Sequence, residues 1–271
     1  MKVINAGYKI LTPADIHDPE AVKAIYKRIE LAGRTCYKSE DKITEDSAKK
    51  FVAAMVKNGH EAMLEHANMT VKFIVDRGVS HELVRHRMAS YAQESTRYCN
   101  YSQDKFGHEL TFIRPTYFYS GLRGIWCRAM ENAEQAYFQL LGHGVKPEEA
   151  RCVLPTSIKT EVVMTANMRE WRHFLKLRAA GITGKPHPQM LEVTVPLLNE
   201  LESVMPELFG DIVAYEEPHG SDTDGDDSIY NFGIDSSDIS NIDLDDKNIA
   251  ASSIDSFLHR VDAAANRHRN K

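Results

Sequence analysis

The run MTVKFIVD, residues 69–76, puts Met69, Val71, Phe73 and Val75 on one side of an extended chain. Successive side chains of a strand point to opposite faces, so this run reads as a strand with one apolar face. An apolar face has to be covered, and that directs the chain toward a layered fold in which helices pack on a sheet.

The neighbouring segments supply such helices. DPEAVKAIYKRIELAGRTCY and EDSAKKFVAAMVKNG read as helices, the second ending at Gly59. SHELVRHRM follows the strand as a helix with Ser80 as its cap, and a polar, irregular stretch then runs through Ser102. A strand is expected around LTFIRP, and a long helix through WCRAMENAEQAYFQLLG. Pro147 opens a short helix, PEEARCVL, that stops at Pro155. MKVINAGYKILTPAD alternates like a first strand, whereas IKTEVVMTAN reads as either strand or helix. Asn167 stands three residues before Glu170, as in a capping box. Trp171, Phe174, Leu175 and Arg178 then share one helix face. An arginine closing an apolar stripe either snorkels to the surface or aims its charge into a pocket. The body is thus mixed α and β, without internal repeats.

The formal net charge of −6 conceals two parts. Residues 216–246 hold eleven carboxylates and no Lys or Arg; without them 33 bases face 28 acids. That Asp-, Ser- and Gly-rich stretch offers too little apolar surface to offset the entropy of ordering it, so 216–271 is expected to be a flexible acidic tail following a domain at 1–215. Its last piece, SSIDSFLHRVDAAANRHR, has the spacing of a short amphipathic helix. DTDGDD lacks the twelve-residue calcium-loop pattern with its closing glutamate. Cys36, Cys99, Cys127 and Cys152 are scattered, with neither metal-site nor disulfide-framework spacing, and are expected to be reduced thiols. No apolar run approaches the roughly 20 residues a membrane helix needs, and no signal-peptide core follows the first Met. A cytoplasmic protein is expected.

The chemistry concentrates in RHRMASYAQESTRY, residues 85–98. Arg85, Arg87 and Arg97 with Tyr91 and Tyr98 mix cations and aromatics as nucleic-acid readers do, but the cluster is short and no broad basic surface accompanies it. HELVRH and GHEAMLEH look superficially like zinc helices. His81 and His86 are five apart and His60 and His66 six, which turns the rings about 140° and about 120° off a common face, so no metal is expected. A third possibility is a small phosphorylated ligand: arginine presents a planar fork for phosphate or a carbonyl edge, and serine hydroxyls with backbone N–H groups complete a cradle. The residues alone leave open whether they bind such a ligand or only bond the backbone of a polar loop.

Arg85-His86-Arg87-x-x-Ser90-x-Ala92-x-x-Ser95-x-Arg97 resembles the signature of the flavin-dependent thymidylate synthases, Arg-His-Arg-x-x-Ser-x-Asn-x-x-Ser-x-Arg, with Ala92 in the place of Asn. GHEAMLEH, ARCVLP and NMREWRHFLKLR are similar to three further segments of that family, in the same order. The resemblance spans roughly 1–215. It implies an α+β domain with a central antiparallel sheet and packed helices, assembled as a homotetramer with active sites between subunits. It also implies methylation of dUMP to dTMP, with methylenetetrahydrofolate as carbon donor and FAD reduced by NADPH.

The same resemblance assigns residues. Arg178 matches the arginine that polarises the uracil in place of a cysteine nucleophile. Glu82, Leu83, Val84 and Arg85 would border dUMP, and Gln93, Glu94, Ser95, Thr96 and Arg97 would form its phosphate loop, lent by a neighbouring subunit. Arg151 would add a cation. His60, Ala62, Arg85, His86, Arg87 and Gln93, with Asn167, Met168, Arg169 and His173, would contact FAD. Ala62 and His173 depart from the residue types expected there. No GxGxxG occurs, so a Rossmann site is not available. The competing reading is a non-catalytic nucleotide- or nucleic-acid-binding protein on the same scaffold.

Overall fold

The structure is a computed structural model that describes residues 1–118 and 120–216. The acidic tail and its amphipathic end therefore lie outside the described residues, Glu216 excepted.

The N-terminal alternation resolves into two strands, β1 (Lys2–Ile4) and β2 (Gly7–Thr12), which enter different sheets. Helix α1 (Pro19–Tyr37) begins with proline at its first position, where no N–H bond is lost, and the Asp18 side chain accepts from Glu20 N at 3.0 Å. Helix α2 (Ser47–Lys57) is followed by Gly59 at φ +71°, which lets the chain reverse into a 3-10 turn, Glu61–His66. Strand β3 (Asn68–Asp76) leads straight into α3 (Arg77–Leu83). Then come β4 (Ser90–Gln93), β5 (Thr111–Ile113), the long α4 (Ser120–Gly142) and α5 (Pro147–Ala150), which continues as a 3-10 turn, Arg151–Val153. Strand β6 (Lys159–Asn167), α6 (Met168–Arg178), α7 (Pro188–Val204) and α8 (Pro206–Phe209) complete the described chain.

The main sheet has the order β2-β3-β6-β4 and is antiparallel throughout. β3 and β6 pair along their full length, from Asn68 opposite Asn167 to Asp76 opposite Lys159. Met69, Val71, Phe73 and Val75 are all buried, as their alternation predicts, alongside Val162, Met164 and Ala166 of β6. Against this face α1, α6 and α7 contribute Tyr26, Ile29, Trp171, Phe174, Val193 and Leu197 to one core. Phe73, Trp171 and Phe174 meet with ring centroids 5.6–6.3 Å apart, and the buried Trp171 N–H donates to Met69 O. The opposite face is half exposed and carries cross-strand polar pairs, Thr70 with Thr165 at 3.0 Å and Lys72 with Glu161 at 2.9 Å. A parallel pair, β1 with β5, packs Phe112 and Leu110 with Trp126, Met130 and Tyr137 of α4 in a second cluster.

Several expectations need correction. The helix after β3 is capped by Asp76, whose carboxylate accepts from Val79 N at 2.7 Å; Ser80 lies inside it and bonds back to Arg77 O. It ends at Leu83, and tight turns replace it: His86 N bonds Leu83 O at 3.1 Å and Ala89 N bonds His86 O at 3.1 Å. The polar stretch contains β4, formed because the free edge of β6 offers a ladder. IKTEVVMTAN is a strand, settled by its nine-residue pairing with β3. Asn167 does cap α6, its side-chain oxygen accepting from Glu170 N at 2.9 Å.

Candidate active site

Helix α6 packs beside the α3–β4 connection and there gathers a first group of residues. Arg178, on its last turn, does not snorkel away: Nη1 donates to Glu82 Oε2 at 2.7 Å and Nε to His86 Nε2 at 3.2 Å. His86 is buried, edge-on to Phe174 (centroids 4.9 Å) and near His173 (6.0 Å). Its Nδ1 lies 3.4 Å from Glu170 Oε1. Burial, with the charges of Arg178, His173 and Arg85, pushes the His86 pKa down to about 4, so the ring is neutral at pH 7. Burial raises the Glu170 carboxyl above the ordinary range. The Tyr91 hydroxyl is directed at the Leu83 and His86 carbonyls, 2.7 and 2.9 Å away, and stabilises the turns carrying Arg85 and His86. Tyr91 thus supports the backbone rather than presenting its ring to a base.

A second group surrounds residues 93–97. Gln93 Nε2 donates to Ser80 Oγ (2.9 Å) and Thr160 Oγ1 (3.2 Å), tying β4 to α3 and β6. Glu94 turns inward, accepting from Tyr101 OH (3.0 Å) and Lys159 Nζ (2.9 Å). Burial acts to lower the Lys159 pKa, but the carboxylates of Glu94 and Glu161 outweigh it and hold the ammonium above its usual value. Thr96 is buried with its hydroxyl 3.2 Å from Arg151 Nη1. Arg97 is exposed, stacked 5.4 Å over Tyr98 and 3.7 Å from Glu148. Ser95 O anchors the turn by accepting from Cys99 N at 3.0 Å. Cys99 is a poor nucleophile candidate, since burial and the nearby Glu94 raise its thiol pKa.

A third group lies at the start of α6. The turn carrying His60 and Ala62, both exposed, is joined to α6 through Arg172 Nε to Glu61 (3.2 Å) and Arg169 Nη1 to Glu65 (2.5 Å). Arg172 is 1% exposed and also binds both Asp211 oxygens (2.6 and 2.7 Å) and the Leu208 carbonyl. His173 is exposed one turn before Arg178.

The structure therefore brings Glu82, His86, His173 and Arg178 together, and puts Thr96 against Arg151. Among the described residues no hydrogen bond or ion pair joins residues 94–97 to Arg178. The side chains of Leu83 and Met168 are fully buried, so only their backbones are available to a ligand. Val84 is 38% exposed. Arg85 and Arg87 are exposed, with no ion-pair partner among the described residues. Exposed guanidiniums of this kind present planar forks that suit phosphate oxygens. A depression of about 460 Å³ lined by Met1, His108, Glu134 and Phe138 involves none of these residues. Sequence reasoning missed Glu170 and Arg172 as buried charges, and Glu94 and Thr96 as inward-facing; Glu170 had registered only as a helix-cap partner.

Comparison with known proteins bears on the family and the fold. The family model described as thymidylate synthase complementing protein matches residues 21–207. The chain is 33% identical over 202 residues to the flavin-dependent thymidylate synthase of Geobacter sulfurreducens, covering 72% of this chain and 82% of that one. It is 31% identical over 219 residues to the Corynebacterium glutamicum enzyme of the same name, covering 73% and 84%. Its fold is similar to that of the UMP/dUMP methylase PolB from Streptomyces cacaoi, solved with 5-Br dUMP, with a TM-score of 0.62 at 22% identity over 78% of this chain and 96% of that one. On the family-model match and the curated relatives, this chain belongs to the flavin-dependent thymidylate synthase family.

Proposed function

We propose that the protein methylates dUMP reductively to dTMP, taking the carbon from methylenetetrahydrofolate, and that it works as a cytoplasmic homotetramer. The observation that carries this reading is the Arg178 guanidinium, held by Glu82 and His86 beside the signature segment. Those bonds use Nε and Nη1 and fix the plane of the fork, so that its remaining N–H groups meet the uracil. A fixed cation beside a ring that must become electron-rich at C5 stabilises the developing charge, often the largest catalytic contribution. The neutral His86 adds no competing positive charge there. Bound FAD, reduced by NADPH, would supply the hydride.

The other roles are those the resemblance implies. Arg85, with Glu82, Leu83 and Val84, borders the nucleotide. Ser95, Arg97 and the backbone of Gln93, Glu94 and Thr96 receive its phosphate, with Arg151 reinforcing the loop through Thr96. His60, Ala62, Arg87, Asn167, Met168, Arg169 and His173 line the flavin side. The resemblance has the phosphate loop lent by a neighbouring subunit, and a site shared in that way would make the tetramer obligatory for activity. Residues 1–215 form the catalytic domain.

The test combines colour and turnover. Purified protein should carry flavin absorbance that NADPH bleaches, and should release tritium from 5-tritiated dUMP when folate is present. Arg178→Ala should stop release while flavin stays bound. Protein that binds dUMP but releases no tritium would instead be the non-catalytic nucleotide binder. An active monomer in light scattering would remove the shared site.

A further inference from the structure

We propose that Glu170 is a positioning residue for Arg178 and acts through the His86 ring. The proposal rests on the methylation reading above, in which Arg178 is the group that polarises the uracil.

The argument starts from donors and acceptors. Arg178 Nε always carries a proton and can only donate, so His86 Nε2, 3.2 Å away, is the accepting nitrogen. A neutral imidazole that accepts at Nε2 keeps its proton on Nδ1. That nitrogen lies 3.4 Å from Glu170 Oε1, and the two side chains are only 5% and 10% exposed. The other tautomer would set a ring N–H against the Arg178 N–H and push the guanidinium away. Phe174 and His173 flank the ring edge-on, so it cannot turn to escape that conflict without disturbing both contacts. The carboxylate therefore selects the tautomer that receives Arg178. Its own place is set by the helix start, where Asn167 Oδ1 accepts from Glu170 N at 2.9 Å. Glu82 grips Nη1 independently, so losing Glu170 misorients the fork rather than releasing it.

Glu170→Met removes the acceptor at similar volume and in a helix-favouring side chain. We expect kcat for tritium release to fall on the order of tenfold, the size of one lost hydrogen bond to a charged group. Flavin absorbance and FAD affinity should stay unchanged. Glu170→Gln can still accept through its amide oxygen and should stay within about threefold of wild type. A double-mutant cycle separates positioning from general damage: Glu170→Met should weaken dUMP binding in calorimetry when Arg178 is present, and have no further effect in Arg178→Ala. Equal losses in both backgrounds would overturn the proposal, as would an unchanged kcat in Glu170→Met or a Gln variant as impaired as the Met one. If Glu170→Met does not fold, ring-15N histidine spectra of wild type, assigned with His86→Gln, decide the matter: Nδ1–H at neutral pH supports the proposal and Nε2–H ends it. Wild-type protein that neither binds dUMP nor releases tritium would remove the methylation reading itself. Wild-type activity with an insensitive Glu170 would remove only the positioning role.

Discussion

His86 makes folding sensitive to acid in a way that can be isolated. Its ring sits in the core between Phe174 and the Arg178 guanidinium, and its pKa is lowered from 6.5 to about 4. The unfolded chain therefore takes up a proton on this ring at a pH where the folded chain refuses it. Stability contributed by the neutral ring is fully present above about 6.5 and is lost as pH falls toward about 4, below which the loss is complete. At about 1.4 kcal/mol per tenfold change in proton affinity, the gap corresponds to about 3 kcal/mol. The measurement is urea unfolding at fixed subunit concentration from pH 7.5 to 4, for wild type and His86→Gln. Glu170, Arg178, His173 and Arg85 surround the ring in both proteins, so their contributions largely cancel in the difference. The free energy of wild type should fall by about 3 kcal/mol more than that of the variant across this range. Two parallel curves would refute the reasoning.

Two other perturbations test separate parts of the structure. Arg172→Met should lower stability by about 3 kcal/mol in urea unfolding, because it strands the Leu208 carbonyl and the charges of Glu61 and Asp211. Asp211→Asn should cost under about 1 kcal/mol, since Asp211 is 46% exposed and its site rehydrates. Cys99→Ala should keep tritium release within about twofold, whereas Ser95→Ala should raise the dUMP KM about tenfold with kcat largely kept; an inactive Cys99→Ala would reopen a thiol mechanism.

What could be read directly from the chain was local. Met69 to Val75 announced β3, and Asn167 announced the start of α6, because alternation and capping are written within a few residues. β4 was not legible: SYAQ has no apolar run, and its strand form comes from the edge of β6 rather than from its own residues. IKTEVVMTAN mixes helix formers with alternation, so only its partner strand decides. For the site, the signature resemblance supplied candidates but not directions. Glu94 and Thr96 point inward because Lys159, Tyr101 and Arg151 arrive from distant segments. Arg172 lies off the Trp171–Arg178 stripe and looks solvent-facing until residues 208–211 fold over it. Arg178 left two readings open, and its bonds to Glu82 and His86 show that it turns toward the α3–β4 connection rather than to the surface.

Helix α6 also acts as a ruler. Ten residue steps separate Met168 from Arg178, about 15 Å along the axis at 1.5 Å per step. On the proposed function Asn167, Met168 and Arg169 would meet the flavin at its origin, and Arg178 the uracil at its far mark. Inserting one residue midway would swing Arg178 by about 100° and push it about 1.5 Å along. On that proposal the outward side chains of the helix would be free to change, while its length would be held by the spacing of two ligands.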